Sequence, residues 1–555
     1  MRKGGLISMK ISVGKEYFDE IRRSGSYYVD KTELIYELLA HTDNAVTLFT
    51  RPRRFGKTVM MSMLENFFNI NKDSRDLFQN LRITAHEDFC REWMNRYPTI
   101  FISLKDVDGS SFSAAFEMMR TSISDLCIKH SRYIEFDSID PADHAAFQRL
   151  KYKKSDISEI KHSLNILMRI LYTTYDRPVV LLIDEYDVPL DKAREKGYYG
   201  EMLDLLRGLL STSLKTNDYI KFAVITGCLR IAKESIFTGV NNFMSYSVLD
   251  EDFSEYFGFT QDEVDHLLEA AGREEKASTF KEWYDGYIFG DSRVYCPWDV
   301  AGYIQALLKR EHARPKNYWL NTGNNSIVRE FVGAFDVDRK FEILLNGGRI
   351  TQTISDQLTY DRLLQTEDNL WSVLLMTGYL TKADPDQDGE TVDLKIPNMQ
   401  ISRIFSDAVI SYFTDTLETD KVDKLMEALW NGDITEASRI LSDMLMQTIS
   451  YMDYHEDYYH AFLAGVFVGR GYEVESNKEK GLGRPDILLT DKKKKRAMII
   501  EAKKADSPES LDRDADKALQ QIVDEKYAQG VGVGYEDILC FGVSFYQKTA
   551  YIRQL

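Results

Sequence analysis

Three stretches of this 555-residue chain hold residue types that do chemistry only in company. The first is "FTRPRRFGKT", residues 49–58. Its end follows the phosphate-loop pattern G-x-x-x-x-G-K-[ST], whose backbone N–H groups cradle phosphates while the lysine reaches the β- and γ-phosphates and the hydroxyl faces Mg²⁺. Lys57 and Thr58 fill the last two roles, and Arg53, Arg54, Phe55 and Gly56 form the cradle. Arg51 stands where the pattern has its first glycine. A non-glycine in such a strained position costs on the order of 1–3 kcal/mol, which the motif survives. Arg53 and Arg54 either add positive charge beside the phosphates or pair with nearby acids.

The second is "PVVLLIDEYD", residues 178–187. Asp184 and Glu185 leave an apolar strand at its carboxyl end. Asp184 there suits a Mg²⁺ site, and Glu185 suits polarising an attacking water. Thr226 ends the apolar run "YIKFAVITG", where a residue sensing the γ-phosphate would lie. Arg230 follows closely and can approach the phosphates of its own or a neighbouring subunit.

The third lies near the carboxyl end, in "GRPDILLT" (483–490) and "RAMIIEAKKA" (496–505). Side chains two apart on a strand share a face, so Glu501 and Lys503 point the same way. Asp486, on an adjacent strand, can converge with them. Two carboxylates make an oxygen-rich site for Mg²⁺ or Mn²⁺, and the lysine can orient water or steady charge on a phosphate. Glu475 on the preceding strand is a further candidate ligand. His460, on the helix before this core, is read as a helix-face histidine within reach of the site.

Each stretch needs elements to position it. "AVTLF", "TIFISL", "PVVLLID" and "YIKFAVITG" are continuous apolar runs alternating with helical spacing at 58–70, 112–130 and 156–175. That pattern implies a buried parallel sheet with its ligands at the strands' carboxyl ends. From about 251 to 450 the spacing turns helical, read as a lid and connector, with "ADPDQDGETVD" (383–393) a hairpin or exposed loop. The last hundred residues read helix, three strands, helix, strand. "DKKKKR" (491–496) reads as a solvated hairpin tip, with a DNA-backbone contact as the other reading.

Composition narrows the setting. The net charge of −18 excludes a generally basic nucleic-acid-binding surface, leaving only local patches for such contacts. The five cysteines include no C-x-x-C pair, which argues for a reducing compartment and against structural zinc. Neither a signal-peptide pattern nor an apolar run of membrane-spanning length occurs, so a cytoplasmic location is expected.

"YYVDKTELIYELL", "TRPRRFGKT", "LLIDEYDVPL" and "ITGCLRIAKESIFTGVNNF" together resemble the bacterial AAA-ATPase-like family that carries a C-terminal PD-(D/E)XK nuclease-like domain. "WYDGY" (283–287) and "YWLNTGNN" (318–325) are similar to its middle region. The resemblance implies an α/β P-loop NTPase domain (AAA/ASCE-like) over 1–250, a helical region over 251–450 and an αβββαβ nuclease-like domain over 451–555. It makes the arginine-led loop the usual form, and Gln521 and Tyr527 match the family's helix pattern. Tyr28, Asp30 and Lys31 are read as packing residues, with a nucleotide-base pocket as the other reading. ATP, Mg²⁺ (Mn²⁺ at the nuclease site) and DNA are the expected ligands, with RNA and a homo-oligomer left open. The expectation is an ATP-gated nuclease acting in defence or mobile-element control. The alternative is a nucleotide-switched binding or signalling protein whose last domain recognises nucleic acid or protein without cutting.

Overall fold

The computed structural model describes residues 9–40, 44–230, 237, 243–319, 338–345, 347–355, 358, 366–387, 389, 391–405, 419–448, 456–467, 473–476, 485–491, 494–531, 534–535 and 537–555. The chain divides into two compact units, one of residues 1–323 and 351–400, the other of 324–350 and 401–555. The stretch 251–450, expected as one helical region, is thus divided between them.

In the first unit five strands form one parallel sheet: β1 (Val46–Thr50), β2 (Thr99–Ser103), β3 (Val179–Asp184), β4 (Ile220–Gly227) and β5 (Phe243–Tyr246), in the order β2-β3-β4-β1-β5. Leu48, Phe49, Leu181, Leu182, Val224 and Ile225 are fully buried, as parallel strands covered on both faces require. The order places β4 between the phosphate-loop strand and the strand that carries the acids. Helices Lys57–Phe68, Phe112–Ser131 and Ile157–Tyr175 lie where helical spacing predicts them.

The middle region is helical but not wholly so. It holds the hairpin β6 (Tyr287–Phe289) and β7 (Ser292–Val294), and the three-stranded sheet of β8 (Ile350–Thr353), β9 (Thr381–Lys382) and β10 (Thr391–Lys395). β9 and β10 pair antiparallel, and the described residues of the acidic segment between them are 383–387 and 389. Gly286, at φ +117°, explains part of the departure: a Cβ there would strike the Pro397 backbone, so this chain crossing requires glycine.

The second unit follows the expected order. Helix Glu456–Phe467 precedes β11 (Glu473–Ser476), β12 (Ile487–Asp491) and β13 (Arg496–Lys504); helix Leu511–Asp524 then leads to β14 (Asp537–Tyr546) and β15 (Thr549–Gln554). β13 and β14 are parallel, and the other neighbours are antiparallel. Alternate residues divide between two cores. Leu489, Met498 and Ile500 pack with Phe462, Leu441 and Leu425, whereas Leu488, Ala497 and Ile499 pack with Leu519 and Ile522. Among the described residues no helix is long and apolar enough to cross a membrane.

Candidate functional sites

The register across β1, β4 and β3 sets the first site. Phe49 lies beside Thr226, and Leu182 and Ile183 lie beside Val224 and Ile225, so Thr226 sits between the loop that follows β1 and the acids that end β3. Its hydroxyl donates to Asp184 Oδ1 at 2.5 Å, and Thr58 donates to Asp184 Oδ2 at 2.8 Å. The Glu185 N–H donates to Thr226 Oγ1 at 3.3 Å. Glu185 takes a left-handed backbone, φ 53°, which lifts it out of the strand at a place where strain is tolerated only if its surroundings hold it.

Lys57 is buried. Its ammonium donates to the loop carbonyls of Arg51 (3.0 Å) and Pro52 (2.9 Å) and lies 3.7 Å from Cys228 Sγ. Burial pulls its pKa down, but Cys228, Glu185, Asp187 and Asp184 outweigh that and leave it raised. Burial holds the Asp184 carboxyl above its ordinary range, and the Glu185 charge adds to that; the Thr226 and Thr58 hydroxyls act against it. Gly56, at φ +83°, turns the chain into helix Lys57–Phe68, whose N-terminus has no side-chain cap.

Arg51 has a different task from the glycine it replaces. Its guanidinium, fully buried, donates to the carbonyls of Thr50 (3.0 Å) and Tyr246 (2.9 Å) and lies over the Phe257 ring at 4.9 Å. The loop is therefore anchored to β5 and to the aromatic cluster behind it. Arg53 pairs with Asp191 at 3.1 Å, and Arg54 lies over the Trp298 ring at 4.0 Å, so both loop arginines are held by neighbouring elements. Phe55 is buried against Tyr287 and Phe289. Arg230 directly follows the segment that leaves β4.

Tyr28, Asp30 and Lys31 have structural partners. Tyr28 donates to Met63 Sδ, Asp30 accepts from Thr32 and from the Arg82 N–H, and Lys31 pairs with Glu263 at 2.6 Å.

In the second unit, β12 pairs with β13 so that Ile487 faces Ile500; one step further, Asp486 comes opposite Glu501. The Asp486 N–H donates to Glu501 Oε2 at 3.2 Å, and Asp486 Oδ2 accepts from the Ala502 N–H at 2.7 Å. Lys503 Nζ stands 3.8 Å from Glu501 Oε1. Both carboxylates are buried. Burial, with the Asp486 charge next, pushes the Glu501 carboxyl up to about 7; Lys503 and His460 pull the other way.

Two neighbours complete this site. The Gln521 amide donates to Glu501 Oε1, and His460 Nε2 lies 3.0 Å from Asp486 Oδ2. The sequence placed His460 within reach of the site, but neither specific contact was legible there, since each joins a helix to a strand through the tertiary fold. Gly542 pairs with Glu501 across β13 and β14, and a side chain there would strike the Ala515 backbone. That glycine lets helix Leu511–Asp524 lie close enough for Gln521 to reach. The side chain of Glu475, on β11 opposite Leu488, lies outside the described residues, as do Lys492 and Lys493 of the hairpin tip.

Both donor sets fit a hard divalent cation by chemistry: Thr58 with Asp184, and Asp486 with Glu501, offer oxygen alone. Among the described residues no group of three or more His, Cys, Asp or Glu side chains is assembled to hold a metal.

Comparison with known proteins finds two family matches in the chain. Residues 12–237 match the family described as Predicted AAA-ATPase, and residues 454–554 match the PD-(D/E)XK nuclease superfamily. The whole chain is similar to an "Uncharacterized protein in vnfD 5'region" of Azotobacter chroococcum mcd 1, 24% identical over 557 residues, covering 97% of this chain and 96% of the relative. The chain carries an AAA-ATPase-like domain followed by a PD-(D/E)XK nuclease superfamily domain.

Proposed function

We propose that the first unit binds and hydrolyses ATP and that the second cuts DNA when the nucleotide state permits. The observation that carries this reading is the hydrogen-bonded line Thr58–Asp184–Thr226, which ties the phosphate loop, the acidic strand end and the strand between them into one site. In this account Lys57 exchanges its two loop carbonyls for the β- and γ-phosphates. N–H groups in the uncapped first turn of its helix serve the phosphate oxygens. Thr58 and Asp184 would hold the Mg²⁺ that accompanies ATP, which neutralises phosphate charge. Glu185 polarises the attacking water, while Thr226 and Arg230 respond to the γ-phosphate.

In the second unit Asp486 and Glu501 would hold Mg²⁺ or Mn²⁺, which supplies Lewis acidity at a scissile phosphate. Gln521 fixes one Glu501 oxygen, and His460 orients Asp486. Lys503 steers the nucleophilic water and steadies charge on the phosphate oxygens. Defence, or control of mobile elements, is the biological setting that such an activity fits.

A second reading, recognition without cleavage, is favoured by the net charge of −18, which weakens attraction to a phosphate backbone. Phosphate release and cleavage of duplex DNA, single-stranded DNA and RNA, measured with Mg²⁺ or Mn²⁺ and with or without ATP, separate the two. Metal-dependent cutting of DNA supports the first reading. Binding without cutting in every nucleotide state supports the second.

A further inference from the structure

The stretch Asp187-Val188-Pro189 reads as a helix start, with an aspartate at the N-cap position and a proline in the first turn of helix Val188–Lys196. The Asp187 carboxylate does not cap that helix. It turns to the segment leaving β4, where Oδ2 accepts the N–H groups of Cys228 (2.8 Å) and Leu229 (3.0 Å). The adjacent Tyr186 hydroxyl donates to the Leu229 carbonyl at 2.9 Å. Both side chains are buried.

Gly227 makes this closeness achievable. A Cβ there would sit 2.6 Å from the Tyr186 ring and 2.8 Å from the Asp187 carboxylate. On its other side the segment meets the phosphate loop: the Gly227 carbonyl accepts the Arg51 N–H at 3.1 Å, and Cys228 Sγ is the thiol beside Lys57. The turn held by Tyr186 and Asp187 therefore touches the acidic strand end and the phosphate loop, and it leads straight into Arg230.

This aspartate forgoes the helix cap for charge-assisted bonds to a turn distant in sequence. We propose that Asp187 is a positioning residue of the ATP site: with Tyr186 it fixes the Cys228–Leu229 turn and thereby sets where Arg230 stands relative to Lys57 and the phosphates. This rests on the ATP-hydrolysing reading above. Asp187 itself touches neither nucleotide nor cation; it acts through Arg230.

The test is a double-mutant cycle on the full chain, comparing wild type, D187N, R230A and D187N/R230A. ATP affinity is read by calorimetry, kcat by phosphate release and folding by thermal unfolding. Asparagine keeps an acceptor oxygen but loses the charge. D187N is expected to melt like wild type, to bind ATP with similar affinity, and to lose about tenfold in kcat. In the R230A background the same change should alter kcat by less than about twofold, because the path it acts through is already gone. Losses that multiply would overturn the inference, as would an R230A variant with wild-type kcat, or a D187N variant that loses affinity at constant kcat. If D187N melts early, D187E and Y186F replace it in the same cycle, and multiplied losses again decide against it. A wild-type protein that releases no phosphate sinks the ATPase reading and this inference together, whereas multiplied losses in an active enzyme sink the inference alone.

Discussion

From the first turn of the helix that follows β1, the Thr58 hydroxyl donates to the Asp184 carboxylate at the end of β3 at 2.8 Å, across 126 residues of sequence, and β1 and β3 are not neighbours in the sheet. β4 lies between those strands and contributes Thr226 to the same carboxylate. A lysine, an uncapped helix N-terminus and two acids are thereby arranged around one place at the sheet's carboxyl edge, where parallel α/β folds hold ligands. Each element on that edge can be tested by a change with its own signature.

Lys57 is the loop's phosphate ligand in this account. Lys57→Ala should abolish ATP binding by calorimetry. Its ammonium bonds two loop carbonyls, so circular dichroism and melting must show that the fold survives. Retained affinity in a folded variant would remove the phosphate-loop assignment.

Glu185→Gln should bind ATP normally and release phosphate at least about a hundredfold more slowly, the lower end of what a general base contributes. The amide keeps the shape and loses the negative charge. A wild-type rate would take Glu185 out of the chemistry.

Arg51 is a structural anchor, so restoring the glycine of the usual phosphate-loop pattern should do harm. Arg51→Gly removes a buried cation bonded to Thr50 and Tyr246 carbonyls and adds a flexible residue. Loss of stability by about 3 kcal/mol or more is expected from urea unfolding, since each bond to a charged group contributes about 1.5–3 kcal/mol. A variant as stable as wild type would show that the anchor contributes nothing.

Glu501 gives the second unit a pH signature. Its folded pKa, about 7, lies above the ordinary 4.5. The folded state therefore binds more protons than the unfolded state between those values, and stability from this group is lost as pH rises through about 7. Without a divalent cation, the second unit should melt lower at pH 8 than at pH 6. Mg²⁺ should restore the difference at pH 8 and do little at pH 5.5, and Glu501→Gln should flatten the profile. A Mg²⁺ effect independent of pH would contradict Glu501 as a cation ligand.

Much of this was legible because the chemistry sits on strongly apolar strands. The runs before Asp184, before Thr226 and around Glu501 can hardly be anything but buried strands, and the register then does the rest. Arg51 was not legible: its partners at Tyr246 and Phe253 lie some 200 residues away, and a charge in a core is justified only by such partners. Gln521 and His460 were visible as helix residues, but their carboxylate partners depend on how each helix packs on the sheet. The short strands within the helical middle region were not legible for a related reason. Short strands such as Tyr287–Phe289 leave little periodicity, and their pairing with Ser292–Val294 is fixed by a glycine turn rather than by alternation.

Cleavage by three proteins tests most directly whether the nucleotide site governs a nuclease in the same chain. Wild type, Lys57→Ala and Asp486→Ala are incubated with linear duplex DNA and Mn²⁺ or Mg²⁺, with and without ATP. Wild type is expected to cut in a manner that depends on ATP and metal. Asp486→Ala should cut nothing while still hydrolysing ATP, and Lys57→Ala should lose the response to ATP. Cutting by Asp486→Ala at the wild-type rate, or ATP-dependent cutting that survives Lys57→Ala, would contradict this reading.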